Sequence, residues 1–316
     1  MTNLEIVTGA GPVGWTVAEQ LAEDGRRVRV LTRSGSGPQH PLIERTKVDV
    51  SDPAAVAEAF EDATAIYHCI HGSKYSAAAW SRELPAGEKV VLEAAGQLGA
   101  VVAFPESLYS YDSTVQPMTE TGPRTATTGK PGVRTRLLKA RAESPTHTVS
   151  VVASDFFGPN VRIALAGERM VPTVLAGKTQ WLLGSADAPH SFTYVPDLAA
   201  AMIAAAHDRS LWDRVLHAPT GPAVTQRQMV EAFAAAGQVR SPKVTAVPGW
   251  LLRGVGRLHG DTRELAEMVY QFEKPFVMSS TDSERLLGLT PTPLAEAATN
   301  TVAWWRDLEG IAQTAA

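Results

Sequence analysis

A single cysteine, Cys69, among 316 residues rules out an intramolecular disulfide framework and fits a reducing compartment. No stretch reaches the roughly 20 consecutive apolar residues that a bilayer span needs. The alanine-rich run from Asp197 to Ala206 is too short and begins with an acid. Basic runs are missing too, and the formal net charge is -4, so nucleic acid is not expected as the main partner. No G-x-S-x-G occurs, which removes the nucleophile elbow of a hydrolase. The chain opens directly on an apolar run, without the basic and apolar leader of a secretory signal. These absences predict a soluble cytoplasmic protein with no membrane partner. What is present, 44% hydrophobic residues, suffices for one large core, or for a large domain with a smaller one attached.

Residues Leu4 to Gly14 read L-E-I-V-T-G-A-G-P-V-G, an apolar run that ends in glycines spaced G-x-G-x-x-G. Gly9 permits a tight turn out of a strand, and Gly11 leaves the backbone open to a pyrophosphate. Gly14 lets the next helix pack closely on the sheet. Pro12 and Val13 open that helix, whose N-terminus carries partial positive charge suited to phosphate. The helix runs from Val13 to Glu23 and stops at Asp24-Gly25, and Arg27 to Thr32 reads as a second strand. Strand, glycines, helix, stop and strand form the context that the motif requires, so Gly9, Gly11, Pro12, Val13 and Gly14 are expected to bind a dinucleotide.

The end of the second strand decides which dinucleotide. An NAD site usually places Asp or Glu there to bond the ribose hydroxyls. This chain has Thr32, Arg33 and Ser34. A guanidinium pairs with a 2′-phosphate that a carboxylate would repel, so NADP(H) is preferred over NAD(H), although a solvated surface arginine fits the same position. Asp49, in K-V-D-V at the end of the expected third strand, is placed to bond the adenine amino group or to cap the helix at Pro53. Asp52 competes for the cap.

Strand and helix signals alternate through the first half. K-V-D-V at 47–50 is followed by a helix from Pro53 to Phe60 and a strand from Thr64 to Ile70. A helix around Pro85 to Leu98 leads to strands at Ala100 to Phe104 and Thr148 to Ala153. This alternation predicts the α/β class, a Rossmann-type doubly wound parallel sheet. The dinucleotide domain is expected over 1–155, its sheet completed by parts of 190–240. A smaller, interleaved, substrate-covering C-terminal region is expected over 156–316. The long polar stretch from Pro105 to Arg134 leaves the carboxyl end of a strand, where ligands sit in such sheets.

Several segments beyond the glycines resemble the short-chain dehydrogenase/reductase superfamily on its extended or atypical, NAD(P)-dependent epimerase/dehydratase side. Asp155-Phe156-Phe157-Gly158-Pro159 resembles the N-x-Y-G-P segment that opens the substrate region. His190-Ser191-Phe192-Thr193-Tyr194-Val195-Pro196-Asp197 resembles the h-d-f-v-y-V-d-D segment. Ser283 to Pro291 resembles the C-terminal s-k-a-x-x-x-L-G-w-x-P segment. The glycine motif is one residue shorter than the G-x-x-G-x-x-G of extended members, which points to an atypical branch.

The resemblance implies a Tyr acid/base in Y-x-x-x-K, with the Lys lowering the phenol pKa. The region from Thr128 to Arg136 holds no Tyr, and Lys130 stands four residues before Arg134. Ser107, Tyr109 and Tyr111, in E-S-L-Y-S-Y-D, lie just upstream. Some atypical members carry a similar Y-x-Y-G loop followed by K-G-x-x-R, although Asp112 here replaces that Gly. The working assignment makes Tyr109 or Tyr111 the proton donor, Lys130 or Arg134 the depressing cation, and Ser107 a hydrogen-bond partner of the substrate oxygen. Packing explains the tyrosines equally well, and Arg134 also fits a surface helix position. Asp155 is read as bonding local backbone.

His68 and His71 fall on opposite faces of a strand and do not converge on a metal. His71 is expected near the nicotinamide ribose or the substrate. His190 and Phe192, with Phe157, are candidates for the substrate pocket or for core. Arg263 to Met268 reads as an amphipathic helix with a solvated charged face. Trp304-Trp305 reads as core or as a dimer contact, which leaves a homodimer open. The sequence thus predicts an NADP(H)-dependent oxidoreductase or isomerase acting on a small organic carbonyl, alcohol or enone. A nucleotide-sugar epimerase is less favoured because those members keep Y-x-x-x-K. A non-catalytic NADP(H)-binding sensor or scaffold is the alternative.

Overall fold

The computed structural model describes residues 4–257 and 260–314. The chain begins β1 (Leu4–Thr8), α1 (Pro12–Glu23), β2 (Arg27–Thr32), β3 (Ile43–Lys47), α2 (Pro53–Ala59) and β4 (Ala63–His68). It continues through α3 (Ala77–Leu98), β5 (Val101–Ser107), α4 (Gly129–Ala142), β6 (Thr148–Ala153), β7 (Asp155–Phe157), α5 (Val171–Leu175) and β8 (Gln180–Leu183). The remainder is β9 (Phe192–Tyr194), α6 (Val195–His207), β10 (Arg214–His217), α7 (Gln226–Ala236), β11 (Val244–Val247), α8 (Gly249–Gly256), α9 (Gly260–Met268), α10 (Thr281–Leu287) and α11 (Leu294–Thr314).

Seven strands form one parallel sheet in the order β10-β6-β5-β4-β1-β2-β3. The order reverses between β1 and β4, which opens the ligand crevice at the carboxyl ends of the strands. Both faces are covered, so β1 is buried at every position. Val7, Val30, Tyr67 and Val151 face α1 and α6. Ile6, Leu31, Ile66 and Phe104 face α2 and α3. This is the doubly wound Rossmann-type sheet that the alternation implied.

The boundaries differ in three places. The third strand is β3 at Ile43–Lys47, upstream of K-V-D-V, because Val28 through Thr32 pair there and the register ends at Lys47. α3 starts at Ala77, eight residues before Pro85, where the Ser76 side chain accepts from Ala79 N–H and caps it. α4 starts at Gly129, so the long polar loop is shorter than its sequence suggests.

The C-terminal region holds two small parallel sheets, β7-β9 and β8-β11, over a second core. Phe157, Met170, Leu182, Phe192, Phe233 and Trp305 meet there. β7 leaves directly from the end of β6, so this core sits beside the carboxyl ends of the large sheet.

Candidate active site

Gly9 turns out of β1 at φ +88°, a backbone region that a side chain strains. A Cβ on Gly14 would lie 2.0 Å from the Gly9 carbonyl oxygen, whereas one on Gly11 would meet nothing within 4 Å. Close packing therefore fixes Gly14, and Gly11 keeps an open face. No side chain caps the α1 N-terminus, which begins with Pro12 and Val13. An open glycine beside an uncapped helix end fits a pyrophosphate.

At the end of β2, Arg33 is exposed beside a turn in which Thr32 Oγ1 donates to the Ser36 carbonyl at 3.1 Å. Asp49 accepts from the Ser51 N–H at 3.0 Å and the Ser51 hydroxyl at 2.7 Å. These bonds, with a smaller contribution from the Arg33 charge, hold its carboxyl below the usual range. Asp52, not Asp49, caps α2. Asp49 is left beside Arg33, past the carboxyl ends of β2 and β3.

The ends of β4 and β5 floor the crevice. His68 is buried, 2.7 Å from Thr8 Oγ1, and burial pushes its imidazole down to about 3. His71 lies edge-on to Trp80 at 4.6 Å. Desolvation and the nearby Arg134 charge lower its imidazole, although the residue stays open to solvent. At the end of β5 the Ser107 N–H donates to Glu106 Oε1 at 2.8 Å. Glu106 is itself buried between Arg134 at 3.5 Å and Arg141 at 2.9 Å.

The two loop tyrosines part company. Tyr109 stacks parallel to Trp80 at 6.2 Å, and its hydroxyl lies 3.1 Å from that of Tyr75. Tyr111 is buried in another cluster with Leu108, Met118 and Phe276. Its hydroxyl bonds His217 Nε2 at 2.8 Å and accepts from Arg124 at 2.6 Å. The short 3₁₀ turn at Leu108–Ser110 separates the two rings. Tyr111 is therefore not placed to donate a proton to a ligand, because its phenol is already committed on both sides, whereas the Tyr109 hydroxyl meets only that of Tyr75.

Lys130 and Arg134 lie one turn apart on α4, and both are buried. Arg134 is thus not a surface position. Its guanidinium covers the Trp80 ring at 4.8 Å. Lys130 Nζ reaches Glu264 Oε2 at 2.6 Å, the Glu264 carbonyl at 3.0 Å and Glu267, and lies 4.8 Å over the Tyr75 ring. The charged face of α9 is accordingly docked against α4, not merely solvated. With its charge matched by two carboxylates, Lys130 does not lower a phenol. Burial first, then the Tyr75 and Asp155 charges, push Tyr109 well above the ordinary phenol range. Tyr109 thus stays neutral near pH 7 and can donate a hydrogen bond, and the rise makes it a weaker acid that gives up its proton only to a strong base such as a developing alkoxide.

Asp155 bonds a side chain, not local backbone: its Oδ2 lies 2.7 Å from His190 Nε2. His190 is 2% exposed, stacked between Phe272 and Phe276 at 4.8 and 5.4 Å. It stands behind Asp155 and does not line the crevice itself. Phe157 packs on Tyr194 and Phe233, and Phe192 is buried against His190, so both belong to the second core. Tyr75, Trp80, Glu106 and Tyr270 carried no sequence signal, because only the fold brings them to the same ends of β4, β5 and β6.

Residues 6–213 match the family described as NAD dependent epimerase/dehydratase family. A sequence search of curated proteins found no match. Among solved structures, the Bordetella bronchiseptica enzyme WbmH in complex with NAD+ aligns at TM-score 0.75 and 18% identity, over 97% of this chain and 99% of that one. UDP-glucose 4-epimerase from Thermotoga maritima, solved with UDP-glucose, gives the same TM-score, identity and coverage, 0.75, 18%, 97% and 99%. The epimerase Mth375 of Methanothermobacter thermautotrophicus aligns at 0.76 and 17% identity, over 99% of this chain and 94% of that one. At such identities these likenesses establish the fold.

Proposed function

The chain belongs to the NAD dependent epimerase/dehydratase family, and on that premise we propose that it is an NADP(H)-dependent oxidoreductase or isomerase of the atypical short-chain dehydrogenase/reductase type. Its substrate is a small organic carbonyl, alcohol or enone. The observation that carries this reading is Tyr109, a neutral phenol at the end of β5, seated between Trp80 and Tyr75 over the carboxyl ends of the sheet.

Gly9, Gly11, Pro12, Val13 and Gly14 hold the pyrophosphate at the α1 N-terminus. Arg33 pairs with the 2′-phosphate, and Asp49 bonds the adenine amino group. His71 and Arg134 flank the nicotinamide end. When bound, the reduced dinucleotide supplies a hydride. Ser107 bonds the substrate oxygen, and Tyr109 donates a proton to that oxygen as negative charge develops on it. Lys130 positions α9 and takes no part in proton transfer.

A second reading, an NADP(H)-binding sensor or scaffold without turnover, is favoured by one observation. Both cations that stand where Y-x-x-x-K is expected are matched by carboxylates, Glu264 and Glu267 for Lys130 and Glu106 for Arg134. Titration with NADPH and NADH, followed by a carbonyl and enone screen with stoichiometric NADPH, separates the two. Oxidation of NADPH that depends on both probe and Tyr109 supports the enzyme. Tight binding with no turnover supports the sensor, and no dinucleotide binding removes both.

A further inference from the structure

We propose that Lys47, at the end of β3, is a second determinant of the choice between NADP(H) and NAD(H), meeting the 2′-phosphate together with Arg33 from the neighbouring strand. The inference rests on the dinucleotide reading above and adds to it a residue from another element.

β2 and β3 run parallel and end level. Thr32, the last residue of β2, is the register partner of Lys47, the last of β3, and the Val48 N–H donates to the Thr32 carbonyl at 3.0 Å. Lys47 therefore leaves the sheet beside the residue that precedes Arg33. Register partners share a face of the sheet. Val28 and Val30, the partners of Ile43 and Arg45, pack into the core against α1. Lys47 thus lies on the α1 side, the side of the helix whose uncapped N-terminus fits the pyrophosphate.

The turn after β2 fixes the lysine stem. The chain folds back there, with the Gly35 N–H donating to the Thr32 carbonyl at 3.3 Å and Thr32 Oγ1 to the Ser36 carbonyl at 3.1 Å. Gly35 sits at φ +72°, and a Cβ on it would lie 3.1 Å from Lys47 Cγ and 3.5 Å from Lys47 Cε. The Lys47 methylenes accordingly run along the turn that carries Arg33 and Ser34, which keeps the ammonium at this corner. Arg45, two residues back on the same face, packs instead beside Gly37, where a Cβ would lie 3.4 Å from its Cγ.

The corner is short of negative charge. Arg33 and Lys47 are exposed, and neither enters an ion pair among the described residues. Glu44 of β3 is held by Arg29 at 2.9 Å, and Asp49 accepts two bonds from Ser51. The Ser34 and Ser36 hydroxyls lie 2.8 Å apart, so one of their two protons bridges them and the other is left to donate. A phosphate monoester carries roughly 1.5 to 2 negative charges at pH 7, more than one guanidinium matches. Arg33 supplies paired donors, and Lys47 adds a compact charge on a stem already placed. NADH offers a neutral hydroxyl at the same position and gains little from either cation.

Nicotinamide fluorescence titrations of the full chain with NADPH and with NADH test this in three variants. Lys47→Met keeps the stem and removes the charge, and Lys47→Arg keeps the charge. Arg45→Met removes a cation of the same strand and face that does not pack on the turn. Lys47→Met is expected to weaken NADPH binding about tenfold and NADH binding by less than about twofold, the worth of one charge-assisted contact. Lys47→Arg and Arg45→Met are expected to hold both constants within about threefold. A Lys47→Met variant that binds NADPH as the unaltered chain does, or that loses NADPH and NADH alike, overturns the proposal. An equal loss in Arg45→Met overturns it too, because the effect would then belong to general charge and not to the placed stem. An unaltered chain that binds neither dinucleotide, or shows no preference for NADPH, overturns it together with the 2′-phosphate reading. A preference that falls in Arg33→Ala and stands in Lys47→Met overturns it alone.

Discussion

Lys130 and Arg134 stand one turn apart on α4, and each ends on carboxylates from a different element, Glu264 and Glu267 on α9 for the first and Glu106 on β5 for the second. The interval is that of Y-x-x-x-K, but the chemistry is not. Two cations at this spacing tie α9 and strand β5 to one helix.

Lys130→Met is expected to lower stability by about 3 kcal/mol, because a buried partner is removed and two carboxylates lose their cation. Glu264 and Glu267 keep 23% and 31% of their side-chain surface open, which sets the loss at the low end of the range. Urea unfolding at neutral pH reads this directly. An unchanged midpoint would show that α9 is not held through Lys130.

Two glycines of one motif are expected to fail in different ways. Gly14→Ala drives a Cβ to 2.0 Å from the Gly9 carbonyl oxygen, so backbone must move and thermal stability falls. Gly11→Ala meets no protein atom within 4 Å, so the melting temperature holds while dinucleotide binding is lost. Thermal melts paired with nicotinamide fluorescence titrations separate the cases. Normal dinucleotide binding by Gly11→Ala would move the pyrophosphate elsewhere.

Arg33→Ala is expected to weaken NADPH binding about 10- to 100-fold, the worth of charge-assisted hydrogen bonds of roughly 1.5–3 kcal/mol. NADH binding should stay as it is. Equal effects on both, or none on NADPH, would remove the 2′-phosphate assignment.

Tyr109→Phe should cut turnover of a carbonyl probe by about 100-fold or more with NADPH affinity kept, since a positioned proton donor contributes on that order. Tyr111→Phe should instead cost stability, about 1–3 kcal/mol, because His217 and Arg124 each lose a buried partner. Steady-state rates and chemical unfolding measured on both variants decide the split. The reverse pattern would exchange the two roles.

His68 sets a pH dependence. Its folded-state pKa, about 3, lies far below the unfolded value of about 6.5, so the unfolded chain binds more protons between the two. The contribution of neutral His68 is fully present above about pH 6.5 and is lost as pH falls toward 3, on the order of 5 kcal/mol in total. His68→Gln should flatten the acid limb of a stability-against-pH curve. An unchanged limb would assign the acid sensitivity to other groups.

The glycine turn at the head of the sheet was legible because it is local: strand, glycines, helix and second strand follow one another in 30-odd residues, and Gly9 and Gly14 each have a steric reason. The parallel, doubly wound sheet followed from the same alternation. The substrate end was not legible. Tyr75, Glu106, Tyr270 and the docking of Glu264 onto Lys130, 134 positions away, depend on contacts between distant residues, and periodicity carries no record of these. Tyr109 and Tyr111 show the limit most plainly. Two residues apart in E-S-L-Y-S-Y-D, they are set by one 3₁₀ turn into different clusters.

The last strand of the sheet has a consequence for synthesis. β10 comes from Arg214–His217, yet it pairs with β6, which ends at Ala153. A chain still emerging from the ribosome has made β6 some sixty residues before its outer neighbour exists. Until then the backbone groups of Val149 to Val152 form an open edge of apolar strand, the kind that other chains add to. Distant pairing of this sort also slows folding, because a long loop must close before the contact repays it. The interval between residues 153 and 214 is therefore when this protein is most exposed to aggregation, and when a chaperone has most to do.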